Sequence, residues 1–594
     1  MTLAKLAWYL ERLESTPKRL EITSILSELI QELKIDEVDK ALYLSLGYLK
    51  APYESEKFNI ADKLMIRALA RQYHKENEIA KIYGELGDLG SVAFKLHNEN
   101  TSSEISILQA HQKLTEIAQA SGTGSQEAKI NKIVDLIQKL NKVSAKYIVR
   151  MILGTTRLGF TELTIVDALA QSVKQGKSLA KKIEEKYSIH PDIGLIAKVI
   201  IKNKNNPEKA LNEIKITTGV PILAQKAQRL GTMEEIVEKL GSCWAEYKFD
   251  GTRLQLHLDK NKKFVVNTKQ TELFDNPEKE KYLVKTFTRN MEDTTYQYPD
   301  LLLAADKQIN AVDVILDGEI MGIDKKTGEF LPFQQIMQRK RKYSIKEFSH
   351  DIPIRYYVFD ILYLNGAPLI EKTLEERHAI LEKIIKSGDT IKVAKKVIIN
   401  DADDLTEYYE EAKSLNLEGL IIKKPKDIYQ AGARSFSWVK LKKADEELLK
   451  DSVDVVVLGY YFGKGERSKF GIGKFLVGVY DEKRNVFVSL TKVGTGLTDE
   501  DWGYIKKEAD KYKTAKLPNN VLINKAYNPD VVLNPKLVVE IGGDEITISK
   551  SHSSGYGLRF PRLLHFREDK NASQSTTLAE IKKLYSLQER GIYN

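Results

Sequence analysis

The pattern of apolar residues changes character twice along this chain, and those two changes constrain its fold more than any other feature. Up to about residue 215 there are only four prolines, Pro17, Pro52, Pro191 and Pro207, and apolar residues recur at helical spacing, as at Ile133, Ile137 and Leu140. The stretch Ser121-Gly122-Thr123-Gly124-Ser125 interrupts that pattern and predicts a loop. From Thr217 to Lys443, β-type runs at 312–316, 356–359 and 420–422 alternate with helical segments such as 373–386, which predicts a mixed α/β domain. From Val453 onward β-type runs separated by glycine dominate, at 455–461, 475–480, 486–490 and 537–541, and this spacing fits a small β-barrel. The expected organisation is a helical domain over 1–216, an α/β domain over 217–446 and an all-β domain over 447–594.

Composition narrows the function classes. The single cysteine, Cys243, excludes a disulfide scaffold, an iron–sulfur cluster and a four-cysteine zinc site. The best apolar run, 455–463, is far shorter than a membrane span, and with Lys5, Glu11 and Arg12 before any long apolar stretch no secretory signal is visible. A cytoplasmic chain without a membrane partner is expected. Its net charge of +9 permits a nucleic-acid partner without demanding one.

Standard phosphate loops and hydrolase elbows are absent: no G-x-x-x-x-G-K-[ST], G-x-G-x-x-G, H-E-x-x-H or G-x-S-x-G occurs. The strongest local feature is Glu246-Tyr247-Lys248-Phe249-Asp250-Gly251-Thr252-Arg253. Read as a strand, it places Glu246, Lys248 and Asp250 on one face. Taken alone this is a solvated strand end. Four further stretches embed charge in apolar runs: Asp317-Gly318-Glu319, Phe359-Asp360, Glu418-Gly419 with Lys423, and the alternating Trp438, Lys440 and Lys442. Five such stretches within about 200 residues are hard to explain as solvated ends.

In order and spacing these stretches resemble the covalent nucleotidyltransferases, and most closely the ATP-dependent DNA ligases of the archaeal and eukaryotic replicative type. The K-x-D-G-x-R match at Lys248 to Arg253 is followed by look-alikes of the later motifs, Thr288-Arg289 among them, and Arg567-Glu568-Asp569-Lys570 is similar to the last one. Tyr147 to Arg150, Leu153 to Gly159 and the basic run Arg339-Lys340-Arg341-Lys342 are also similar to segments of these ligases. Two departures stand out: a Lys- and Glu-rich insertion of roughly twenty residues between Val266 and Thr288, and Gly219-Val220-Pro221-Ile222-Leu223-Ala224 in place of a proline–methionine version.

The resemblance implies a helical DNA-binding domain, an ATP-grasp-like nucleotidyltransferase domain and an OB-fold. It implies nick sealing in replication, repair and recombination, with ATP consumed and AMP held on Lys248. Glu246 would lie by the adenine, Arg253 and Glu319 by the ribose, and Phe359 on the base, although core packing remains the alternative for Phe359. Arg289, Lys423, Arg434 and Lys440 would approach the phosphates, with Glu319 and Glu418 as carboxylates for Mg²⁺ or Mn²⁺. The implied partner is nicked double-stranded DNA, bound near the nucleoid by a monomer, with Arg157, Gly159 and the basic run as contact candidates. A sliding clamp stays open as a partner, with no motif for one. A capping-type nucleotidyltransferase and a non-catalytic DNA-binding scaffold are the competing readings. An NAD-dependent ligase would need a cysteine-rich zinc module that one cysteine cannot build.

Overall fold

A computed structural model of the chain describes residues 1–54, 56–98, 105–174, 176–230, 232–264, 281–331, 336, 352–415, 417–442 and 452–589. The basic run at 339–342 lies outside them. The chain divides into two compact units, one of residues 1–60 and 102–442, the other of 61–101 and 443–594.

In the first unit the N-terminal region is helical, as its spacing predicts. Ile133, Ile137 and Leu140 are fully buried, and the helix Ser125–Ile137 begins where the Ser/Gly/Thr stretch ends. The Tyr147 to Arg150 segment lies on the helix Lys142–Ile152, where Lys146, Tyr147 and Arg150 all converge on Glu14 of the helix Leu3–Glu14 at 2.6–2.8 Å. Those residues tie two helices together. After the last of these helices the chain is bonded along β3 (Thr252–Phe264): Thr218 donates to Asp259, the Gly219 N–H to His257 Nδ1, and Ile222 exchanges two bonds with the Gln255 amide. Gln255, His257 and Asp259 alternate along β3, so one polar face of the strand is buried against this segment. Burial pushes the His257 imidazole down to about 3, so it accepts as a neutral ring.

The α/β part of this unit is built from two sheets. One has the order β1-β12-β11-β2-β10, from β1 (Lys226–Arg229), β2 (Cys243–Lys248), β10 (Lys396–Ile399), β11 (Gly419–Lys423) and β12 (Arg434–Lys442). The other runs β4-β3-β5-β7-β8, with β4 (Lys281–Thr288), β5 (Asp313–Ile323), β7 (Ile354–Leu364) and β8 (Ala367–Pro368), and with β6 (Phe330–Leu331) on β5 and β9 (Ile391–Val393) on β7. Of the segment read as an insertion, residues 281–288 are a strand paired to β3, and 265–280 lie outside the described residues. Gly251 lets the turn from β2 into β3 pass close to β5, because a Cβ there would lie 2.2 Å from the Ile320 carbonyl oxygen.

The second unit is organised around an eight-stranded sheet that contains the strands Val453–Tyr461, Lys474–Asp481, Val486–Val493 and Val538–Gly542. Its core holds Val455, Val457, Phe475, Val477 and Leu490. It is not wholly β. It carries the helices Asp499–Asp510 and Leu578–Glu589, and the helices Asp62–Tyr73, Ile79–Leu86 and Leu89–Leu96 belong to the same unit. Lys464 pairs with Asp62, and a Cβ on Gly84 would meet the Phe462 ring at 3.3 Å. Among the described residues no helix is long and apolar enough to cross a membrane.

Candidate active site

Every nucleotide- or metal-directed residue singled out from the sequence lines one cleft of about 290 Å³ within the first unit, with side chains from both sheets. Lys248 is the last residue of β2, and its register opposite Gly419 brings it beside Glu418 at the head of β11. Lys248 Nζ donates to one oxygen of Glu418 and Lys442 Nζ to the other. Burial pushes the Glu418 carboxyl up, but the charges and hydrogen bonds of Lys248 and Lys442 outweigh it and the net shift is downward. Glu418 is thus an ionised carboxylate placed on the amine.

Two residues before Lys248, the fully buried Glu246 accepts from Lys423 Nζ at 2.7 Å through one oxygen. Its other oxygen, Oε1, is buried without a hydrogen-bond partner, a costly state for a carboxylate. Burial raises the Glu246 carboxyl and Lys423 opposes that rise. Lys423 also lies 4.6 Å and 4.5 Å from the ring centroids of Phe359 and Trp438, which meet edge-to-face. Phe359 both packs and faces the cleft.

Arg253 on β3 is clamped from behind. Its Nε and Nη2 donate to Asp317 at 3.1 and 2.7 Å, and its Nη1 donates to the Gln225 carbonyl at 2.8 Å. Glu319, two residues along β5 from Asp317, is pushed up to about 8 by burial, against the pull of Lys248 and Arg253. Arg289 follows β4 directly, and since Thr288 pairs with Leu254, it arrives beside Arg253 despite the altered loop. Burial lowers its guanidinium, and the nearby Arg253 and Arg434 charges lower it further. Arg434 and Lys440 reach the cleft from β12, and Asp250 reaches it from the turn after β2, not from the strand itself.

Several partners around this site escape sequence reasoning. Asp360, visible in the sequence as a carboxylate in an apolar run, gives its carboxylate to Arg377 in a buried fork at 2.6 and 2.9 Å. Tyr429, Arg377 and Gln225 carry no local signature, because each works through a partner distant in sequence. Arg567, Asp569 and Lys570 belong to the second unit. There Arg567 donates to Asp569 and Asp454, and Lys570 also holds Asp454.

Three family models and full-length relatives match the chain. The ATP dependent DNA ligase domain matches residues 276–442, the DNA ligase N terminus residues 2–170, and the ATP dependent DNA ligase C terminal region residues 468–570. The chain is 39% identical to a probable DNA ligase of Dictyoglomus turgidum, covering 99% of this chain and 98% of that one. It is 36% identical to DNA ligase 2 of Thermofilum pendens, over 98% and 97% of the two chains. A solved structure titled Pmar-Lig_PreS3 shares the fold, with a TM-score of 0.53 over 95% of this chain and 99% of that one, at 18% identity. Matched along nearly its whole length by such relatives and by three ligase family models, the chain belongs to the ATP-dependent DNA ligase family.

Proposed function

We propose that this protein seals nicks in duplex DNA, forming a phosphodiester bond at the expense of ATP through an AMP held covalently on Lys248. One observation carries the reading: Lys248 Nζ sits on Glu418 inside a cleft walled by Arg253, Arg289, Lys423, Arg434 and Lys440. An isolated lysine is a weak nucleophile and must first lose a proton. Glu418 accepts a hydrogen bond from that amine and fixes its position in the cleft. As the Nζ–Pα bond forms, the bond from Pα to the bridging oxygen breaks and its electron pair leaves on pyrophosphate. The surrounding cations offset that charge and are already in place, so little reorganisation is needed. AMP then passes to the 5′-phosphate of a nick, and the adjacent 3′-hydroxyl displaces it.

Glu246 Oε1, an orphaned acceptor, suits the exocyclic amino group of adenine, with Phe359 against the base and Arg253 and Glu319 toward the ribose. Among the described residues no three or more His, Cys, Asp or Glu side chains gather for a resident metal. Glu319 and Glu418 instead suit Mg²⁺ arriving on phosphate oxygens, which takes one or two carboxylates. Bound there, the ion would neutralise triphosphate charge.

For the wider molecule, we read a helical DNA-binding region over 1–216, an ATP-grasp-like nucleotidyltransferase domain over 217–446 and an OB-fold over 447–594. The two-sheet cleft and the glycine-punctuated eight-stranded sheet support these assignments. DNA contact through phosphates fits the net charge of +9 and a function that must ignore base sequence. Arg157 and Gly159, both with positive φ in the turn after the helix Lys142–Ile152, are the candidates there. Incubation with α-labelled ATP and Mg²⁺ should give an acid-labile AMP adduct that chases into sealed DNA when nicked duplex is added. Labelling by GTP alone, or no label, would overturn the reading in favour of a capping-type enzyme or a scaffold.

A further inference from the structure

We infer that Tyr429 is a positioning residue for Arg253: its hydroxyl closes a ring of hydrogen bonds that fixes the arginine fork in the nucleotide cleft. This rests on the reading of the cleft given above. Tyr429 lies in the connection between β11 and β12, and its side chain is 3% exposed. The hydroxyl donates to Asp317 Oδ2 at 3.0 Å and accepts the Gln225 N–H at 3.1 Å. Asp317 takes the Nε and Nη2 of Arg253, and the Gln225 carbonyl takes its Nη1. The four residues therefore form a closed circuit, Tyr429 to Asp317 to Arg253 to Gln225 and back to Tyr429. They come from four separate stretches of chain.

The closure matters because a carboxylate that holds a guanidinium is itself free to turn unless something holds the carboxylate. Asp317 is completely buried, and Tyr429 supplies the hydrogen bond to it from outside the arginine pair. The tyrosine is itself braced. Its ring meets Trp438 edge-to-face at 5.9 Å, the Arg377 guanidinium lies 5.8 Å from the ring, and its backbone N–H donates to the Ile370 carbonyl. The same connection is stitched to the segment before β1, with Gln430 N–H on Gln225 Oε1 at 2.7 Å and Gly432 N–H on the Leu223 carbonyl at 2.9 Å. Tyr429 thus couples the aim of Arg253 on one sheet to the chain that leads into Arg434 and Lys440 on the other. Orientation of this kind is where small displacements cost binding or rate.

The test is self-adenylation of the full-length protein with labelled ATP, measured as apparent affinity and maximal rate, for wild type, Tyr429→Phe, Arg253→Ala and the double variant. Phe keeps the ring contacts and removes the hydroxyl. The expected result is an apparent ATP affinity about tenfold weaker for Tyr429→Phe, a maximal rate within about threefold of wild type, and no further loss when the change is made in Arg253→Ala. An equal loss in both backgrounds, a loss in maximal rate alone, or a variant too unstable to assay at 25 °C would overturn the positioning role, since the hydroxyl would then serve the loop and not the arginine. Failure of the underlying reading is distinct: wild type forms no adduct, or Arg253→Ala forms it as wild type does.

Discussion

Two clusters of charge in this molecule contain similar residues and are left in opposite electrostatic states. In the cleft of the first unit three groups are under-satisfied: Glu246 Oε1 has no partner, Glu319 is pushed up to about 8, and the Arg289 guanidinium is lowered by burial and neighbouring arginines. At the end of the second unit the groups are saturated. Arg567 is shared between Asp569 and Asp454, Lys570 adds to Asp454, and hydrogen bonds from Arg567 hold the Asp569 carboxyl down to about 2. A buried polar group without a partner costs stability, and such groups persist where a ligand satisfies them. On the proposed function the first cluster is the one a nucleotide would complete, whereas the second already has its partners within the chain.

The largest expected effect breaks the comparison at its centre. Lys248→Arg keeps the charge on Glu418, but guanidinium stays protonated in proteins and cannot form the adenylate. No acid-labile AMP should appear, with thermal melting unchanged; a variant that still labels removes Lys248 as nucleophile. Next comes Arg567→Ala or Lys570→Ala. If these cations leave Asp454 to assist departure of pyrophosphate, reaction with ATP should fall at least about a hundredfold while sealing of a pre-adenylated nick survives. Single-turnover sealing of the two substrates decides it. Equal failure on both would mean that the ion pairs to Asp454 serve only to hold the sheet.

The outline of the fold and the charged groups that line the cleft are legible in the sequence, because strand alternation and motif order are local properties. Glu246 and Lys248 are two residues apart on one strand, so their shared face is read directly. What supports them is not local. Asp317 and Asp360 stand out as carboxylates in apolar runs, yet their partners are Arg253, 64 residues away, and Arg377, 17 residues away. No periodicity links such pairs. The alternation Gln255, His257, Asp259 has the same period on β3, and only the structure shows that it is a buried face bonding the preceding segment. The grouping of residues 61–101 with the C-terminal unit is likewise invisible to helical spacing, which records that a helix has an apolar face and not what covers it.

The two Arg–Asp forks of the first unit sharpen the contrast between support and chemistry. Arg377 and Asp360 are 0% and 1% exposed and face no solvent. Arg377→Met would leave the Asp360 charge buried and unpaired, which costs about 3–5 kcal/mol. Denaturant midpoints should show that loss with and without ATP alike. If Arg377→Met is as stable as wild type, the fork is not a structural strut.

The smallest effect is also the most diagnostic, because its sign is opposite. Glu319 has an ordinary carboxylate value of 4.5 when exposed and about 8 in the fold, with burial as the principal cause. Between those two values the folded protein holds a proton that the unfolded chain has released. Stability rises with pH only where the unfolded state binds more protons. Here the folded state binds more, so the contribution of Glu319 falls as pH climbs from about 4.5 to about 8 and is level above that. Glu319→Gln removes the titration and keeps the shape. The nucleotide-free variant should therefore melt a few degrees above wild type at pH 8 and together with it near pH 5, while self-adenylation falls. That combination marks a group kept at a cost in stability for the ligand it meets. Parallel melting curves across that range would show that Glu319 is not held protonated, and the cleft would then lose the clearest sign that its carboxylates wait for a cation-bearing nucleotide.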